Sequence, residues 1–256
     1  MEFTKFDDRC LELVRASGCR PGKAAISCAV NHLRRGWAIR DIDPNMAVFR
    51  GITAEEEAAT GLFRALAFRN YENANRLKPR DHLHKNAVTP FLRVLGSFFA
   101  EFSETPKVSP RLIIKEEDGE TRLRTVIQLP VGEEKVLAYP IPPLNFSVTS
   151  DGKPPSYKKQ IERLLAAEGY PKISGYLKQG ANQRNTLLYA NPEGYTEIQG
   201  LEDRYFIRQK NRVMTMAMAY LLIEPYDECQ PFVQQALEAF LVMMDVLESQ
   251  YLHPEV

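Results

Sequence analysis

Thr53-Ala-Glu-Glu-Glu-Ala-Ala59, running on through Leu62 and Leu66, is the stretch from which the fold is read. Small and apolar residues recur there at helical spacing, which predicts the third long helix of the chain. Thr53 either begins this helix or continues a short segment through Met46, Val48 and Phe49 after a kink at Gly51. Asp43-Pro44 supplies the start signal for that segment, since proline suits a first helical turn. Thr53 and Glu56 match the spacing of a capping box. Ala59, Leu62, Leu66, Asn73 and Leu77 continue one face, and Pro79 ends it.

Upstream, Phe3, Phe6, Cys10 and Leu13 predict a helix over 2–16, and Ile26, Val30, Leu33 and Trp37 another over 22–40. Downstream, His84, Val88, Phe91, Leu95, Phe98 and Phe102 form the regular stripe of a fourth helix over 80–103. Pro90 lies inside it and removes a backbone donor, so a kink is expected there. From Pro106 the texture changes. Arg111–Lys115, Thr121–Leu129 and Val136–Tyr139 predict strands, with Asp118-Gly119 as the first tight turn. A fourth strand is expected over Asn145–Thr149, after the cluster Pro140, Pro142 and Pro143. Ser156 opens a helix to about 168, closed by Gly169. Thr186–Tyr189 and Tyr195–Ile198 flank Asn191-Pro-Glu-Gly194 as an expected hairpin. Two helices, about 201–223 and 231–252, finish the chain.

The fold expected is therefore mainly α (α+β): a helical bundle with a small antiparallel β insertion. Its regions are an N-terminal bundle over 1–105, the insertion over 106–155, and a C-terminal helical region over 156–256 packing back on the bundle. Both helical regions carry wide apolar seams that need covering. Two separate domains are the alternative.

Composition excludes little. The 256 residues carry 33 Lys plus Arg and 33 Asp plus Glu, for a net charge of +0, so a broadly basic nucleic-acid surface is not indicated, while a local patch is allowed. Mean composition is that of an ordinary globular protein. The N-terminus lacks the apolar segment of a signal peptide, and no run reaches the roughly 18 apolar residues of a membrane span. Cytoplasmic residence without membrane association is expected. The four cysteines, Cys10, Cys19, Cys28 and Cys229, form no Cys-x-x-Cys pair and read as free buried thiols. Cys28 and His32 share a face and are a weaker metal candidate, as are His82 and His84, so no metal or other cofactor is expected.

The site candidates are charged residues on apolar stripes, because an ionisable group facing a core needs a partner or a task. Glu55 shares a face with Ala59, Leu62 and Leu66, Glu56 with Ala59 and Phe63, while Glu57 points outward. Helix-start carboxylates that complement the dipole are the competing reading. His84 lies on the fourth helix's seam, with Arg80 four residues before it, and His82 lies on the polar face. A histidine that moves a proton and an arginine that stabilises phosphate charge would suit phosphodiester chemistry, with Glu55 or Glu56 orienting the imidazole. A simple hairpin of the third and fourth helices, however, places the glutamates roughly 40 Å from His84, which points instead to contact across a dimer or to unrelated features. Arg204, Arg208 and Arg212 form a stripe that reads either as a solvated face pairing with Glu202 and Asp203 or as an RNA contact. The polar run Lys178–Arg184 reads as a ligand contact or an ordinary loop.

Ala24-Ala-Ile-Ser-Cys-Ala-Val-Asn-His-Leu33, Met46-Ala-Val-Phe-Arg-Gly-Ile-Thr-Ala-Glu-Glu-Glu-Ala-Ala59 and Asp81-His-Leu-His-Lys85 resemble the HEPN helical superfamily, in its abortive-infection, phage-resistance branch. The resemblance spans about residues 22–103. It implies a helical, dimeric protein. Many members are metal-independent RNases with an arginine separated from a histidine by four to six residues. Arg76 and His82 have five between them, and Arg80 and His84 have three. The resemblance thus implies His84 or His82 as proton carrier, Arg80 or Arg76 as phosphate ligand, and RNA as substrate. The alternative is a non-catalytic module that acts through dimerisation or binding.

Overall fold

The structure, a computed structural model, describes residues 1–102, 109–117, 119–131, 134–149, 152–170, 172–190 and 194–252. The described residues form α1 (Lys5–Ala16), α2 (Arg20–Ile39), α3 (Pro44–Phe68), a 3-10 turn (Ala74–Arg76), α4 (His82–Phe102), β1 (Ser109–Glu117), β2 (Glu120–Val131), β3 (Glu134–Ala138), α5 (Lys158–Glu168), α6 (Ile173–Leu188), α7 (Asp203–Ile223) and α8 (Pro231–Leu252). The chain is mainly helical with a small three-stranded antiparallel sheet of order β1-β2-β3, as the sequence predicts. The register pairs Leu112 with Thr125 and Ile127 with Ala138.

α3 is the axis of the molecule. It is one helix from Pro44, not two segments, because Asp43 caps it by accepting from the Met46 N–H at 2.9 Å. Thr53 lies inside it and donates to the Phe49 carbonyl at 2.9 Å, so the expected capping box does not form. At Gly51 the helix needs no kink. Glycine is required by packing, since a Cβ there would stand 2.6 Å from the Tyr205 hydroxyl on α7.

α3 also ends at Phe68, well before the predicted stop at Pro79. Asn70 and Asn73 adopt left-handed backbone (φ 56° and 63°), which asparagine tolerates and a continuing helix does not. Leu77, whose spacing suggested helix, and Tyr71 are buried anchors of a returning loop. That loop brings His82, at the head of α4, back beside the middle of α3. This removes the premise of the roughly 40 Å separation, which assumed helix all the way to Leu77.

Two expected strand regions are not strands. Residues 145–149 lie along α8. The Gln235 side chain accepts from the Val148 N–H at 2.9 Å and donates to its carbonyl at 3.1 Å, while Gln230 accepts from the Leu144 N–H at 2.7 Å. A side-chain amide thus replaces the neighbouring strand. The same device operates on 195–198. The Asn45 amide donates to the Thr196 carbonyl at 2.7 Å, and its oxygen accepts from the Ile198 N–H at 2.9 Å. Residues 186–188 belong to α6 instead of a hairpin arm. Asp118 and Asn191–Glu193, the first residue of one predicted turn and most of another, lie outside the described residues.

One buried apolar cluster runs from Cys10 and Val14 on α1 through Ile26, Leu33, Phe63 and Phe91 to Met216, Tyr220, Phe240 and Leu247, and takes in Leu123 of the sheet. Phe206 on α7 meets Trp37 edge-on with ring centroids 5.8 Å apart. Tyr220 is fully buried, and its hydroxyl lies 2.7 Å from Ser17 Oγ. No described helix is long and apolar enough to cross a membrane.

Candidate functional site

Glu55 and Glu56 are both buried in the middle of α3, far from a helix start. Successive helical residues point about 100° apart, so the two carboxylates enter different surroundings.

Glu56 is 2 % exposed. Its Oε1 lies 2.8 Å from His82 Nδ1, and its Oε2 lies 3.2 Å from Lys85 Nζ and 3.6 Å from Arg184 Nη1. Lys85 stands three residues after His82 on α4, so both reach the same carboxylate. A carboxylate only accepts, so His82 Nδ1 carries a hydrogen, which in the neutral ring leaves the lone pair on Nε2. Arg184 Nη1 lies 3.2 Å from Nε2 and 3.4 Å from Nδ1, so the guanidinium sits against the imidazole and not along the Nε2 lone pair. The Arg184 guanidinium also stacks over Phe49, 4.8 Å from the ring centroid. The imidazole is 45 % exposed, so a substrate can reach it while the carboxylate behind it is shielded.

The positive field extends to α2. His32 Nδ1 lies 3.4 Å from Arg50 Nη1. Burial, followed by Arg50, Arg35 and Arg184, holds the His32 imidazole below its ordinary value. His32 thus feels Arg184, the same guanidinium that reaches His82 and Glu56.

Glu55 turns the other way and accepts from Arg212 Nη1 at 3.0 Å. Burial pulls the Arg212 guanidinium down, but the charge and hydrogen bond of Glu55 outweigh it and leave it raised. The pair borders a cavity of about 530 Å³ among α3, α4, α6 and α7. Arg212, half-buried, therefore lines this pocket through its pair with Glu55 instead of standing free on a surface stripe. Arg204 pairs with Glu202, and Arg208, one turn further along α7, is exposed.

The remaining candidates separate. His84 is 2 % exposed; its Nε2 lies 3.1 Å from Glu248 Oε1, and its ring meets Phe240 edge-on at 6.5 Å. Hydrogen bonds from Lys78 and His84 hold the Glu248 carboxyl below the usual range. Arg80 lies before the first residue of α4 and is exposed, so it does not share a helical face with His84. Arg76, in the 3-10 turn, pairs with Asp245 at 2.5 Å. The structure thus brings Glu56 to His82 within one chain and separates both from Arg76, Arg80 and His84. Lys85 and Arg184 complete the cluster. Each was visible in a quoted polar stretch, but only the fold reveals that Arg184 crosses from α6.

Among the described residues no group of three His, Cys, Asp or Glu side chains gathers to hold a metal ion. Cys10 and Cys19 are buried, Cys28 is half-buried and Cys229 is exposed, so the expectation of buried thiols fails at Cys229, which sits in the link before α8. Burial pushes the Cys10 thiol up to about 11, with Asp7 adding to it. Compared with known proteins, the chain matches no family model, no curated protein and no solved structure.

Proposed function

We propose that the chain is a HEPN-like, metal-independent endoribonuclease in which His82 moves the proton. The observation that carries this reading is a half-exposed imidazole whose Nδ1 is held 2.8 Å from a buried carboxylate, with a guanidinium nitrogen within 3.4 Å of both ring nitrogens. Glu56 fixes the tautomer and ring orientation, as the acidic member of a triad does. Lys85 is itself buried, and it holds Glu56 in place. Arg184 is the phosphate ligand. An incoming phosphate draws Arg184 away from the ring, and Nε2 takes the proton of the adjacent 2′-hydroxyl. The 2′-oxygen attacks phosphorus, the bond to the 5′-oxygen breaks, and solvent protonates the leaving oxygen. The product is a 2′,3′-cyclic phosphate. Arg184 thus takes the part that the resemblance gave to Arg76 or Arg80.

Single-stranded RNA incubated with the protein and a chelator tests the reading. Cleavage with cyclic-phosphate ends is expected, reduced about 10²–10⁴-fold in kcat by His82→Ala and retained in Arg80→Ala. Cleavage at the wild-type rate by His82→Ala, or no cleavage by the wild type, overturns it. A role in phage defence through a homodimer belongs to the same proposal. Sedimentation at twice 29.2 kDa and phage protection lost with His82→Ala are the outcomes expected. A non-catalytic binding protein is the competing reading, and the cavity beside Glu55 favours it.

A further inference from the structure

Arg50 is half-buried on α3, yet among the described residues no carboxylate forms a salt bridge with it. Its guanidinium meets another base instead: Nη1 lies 3.4 Å from His32 Nδ1 on α2. Its Nε is buried without a hydrogen-bond partner, which adds to the cost of holding the charge there. Arg35, three residues after His32 on α2, is exposed and likewise has no salt bridge among the described residues. Arg184 from α6, which stands 3.6 Å from Glu56, acts on the same imidazole. Cations gathered around an imidazole repel its charged form, and nothing beside Arg50 compensates them. What the arrangement lacks is an anion.

The donors restrict which anion. Arginine offers a planar fork of N–H groups that matches the oxygens of a phosphate. Arg50 can only donate, so His32 Nδ1 presents its lone pair and the hydrogen of the neutral ring sits on Nε2. A phosphate bound against Arg50 favours the charged imidazole, draws a proton onto Nδ1 and makes the ring a second donor. Arg50 and Glu56 stand six positions apart on α3, about 9 Å by helix rise. Phe49, next to Arg50, lies under the Arg184 guanidinium at 4.8 Å. Arg184 is therefore near both the His82 centre and the Arg50–His32 pair. A lone anion would satisfy Arg50 only, whereas a strand of phosphates satisfies this pair and Arg184 together.

We propose that Arg50 and His32 hold a second phosphate of the RNA strand, next to the one bound by Arg184. The assignment to RNA rests on the nuclease reading; the affinity of the pair for a phosphate group does not.

Nuclear magnetic resonance of the imidazole protons tests the pair itself, with His32→Gln identifying the signal. Sulfate, a phosphate analogue that does not titrate in this range, should raise the His32 pKa by about one unit relative to chloride at equal ionic strength, and far less in Arg50→Gln. Equal movement in wild type and Arg50→Gln, or none in either, overturns the inference whether or not RNA is cleaved. Cleavage tests the assignment to RNA. A dinucleotide carrying one terminal phosphate, on its 5′ or its 3′ end, should be cleaved with about tenfold higher kcat/KM than the same dinucleotide without it. Arg50→Gln and His32→Gln should each abolish that ratio, and Arg50→Lys, which keeps the charge but loses the fork, should retain part of it. Arg50 has no acid to leave unpaired, so Arg50→Gln should melt no lower than wild type, and a lost ratio is not mistaken for lost folding. A ratio of one in a wild type that cleaves, or an undiminished ratio in Arg50→Gln, overturns the assignment to RNA in favour of a site for free anions. A wild type that cleaves no dinucleotide overturns the nuclease reading instead, and the imidazole titration then decides alone whether the pair takes phosphate.

Discussion

Glu56 carries more of the local electrostatics than any neighbouring side chain, because one buried carboxylate accepts from His82 and neutralises Lys85 and Arg184. Lys85 is almost as buried as its partner, at 8 % side-chain exposure against 3 %. Removing one member of such a pair leaves the other charge in a low dielectric without compensation. Glu56→Ala should therefore cost about 3–5 kcal/mol in urea denaturation. Glu56→Ala combined with Lys85→Met should recover most of that loss. A double variant no more stable than Glu56→Ala alone would show that the pair is not the source of the penalty. Glu55 and Glu56 were legible as candidates in the sequence, because charge on an apolar stripe is visible without a structure. Their partners were not. Lys85 and Arg184 are ordinary polar residues in sequence, and only the crossing of three helices reveals what each faces.

At the scale of elements, helix existence was readable and helix ends were not. The stop of α3 at Phe68 depends on two asparagines in left-handed conformation, and neither carries a glycine's signal. The expected strands at 145–149 and 195–198 failed for another reason. Side chains distant in sequence, Gln235 and Asn45, satisfy backbone groups that a local pattern assigns to a neighbouring strand. The α2–α3 contact is set by small residues. A Cβ on Gly61 would stand 2.6 Å from Ile26 Cδ1 and 3.2 Å from the Gly22 carbonyl. Ile26 is fully buried and has no room to withdraw. Gly61→Ala should destabilise by about 1–3 kcal/mol despite alanine's better helix propensity. Ile26→Val, which removes the clashing Cδ1, should offset part of the loss. Equal stability of wild type and Gly61→Ala in the same urea titration would contradict this account of the interface.

For the whole molecule, a continuous buried cluster joins α1 to α8 and includes Leu123 of the sheet. The sequence supports either one packed unit or two domains, since an amphipathic seam does not name the surface that covers it. Trp37 reports on this directly, because it is the single tryptophan and lies between α2 and α7 against Phe206. Loss of its fluorescence and loss of far-UV circular dichroism should coincide in one denaturant transition. Two separated transitions would mean that the N-terminal bundle unfolds independently of the helices around it.

The side-by-side position of Glu55 and Glu56 has a further consequence. Each serves its own surroundings only because of its angle around α3, so both assignments depend on one helical phase. Deleting a single residue between Gly51 and Ala54 would turn the downstream carboxylates by about 100° relative to the anchored start of the helix. Neither acid would then face its cation, although every residue of both clusters would still be present.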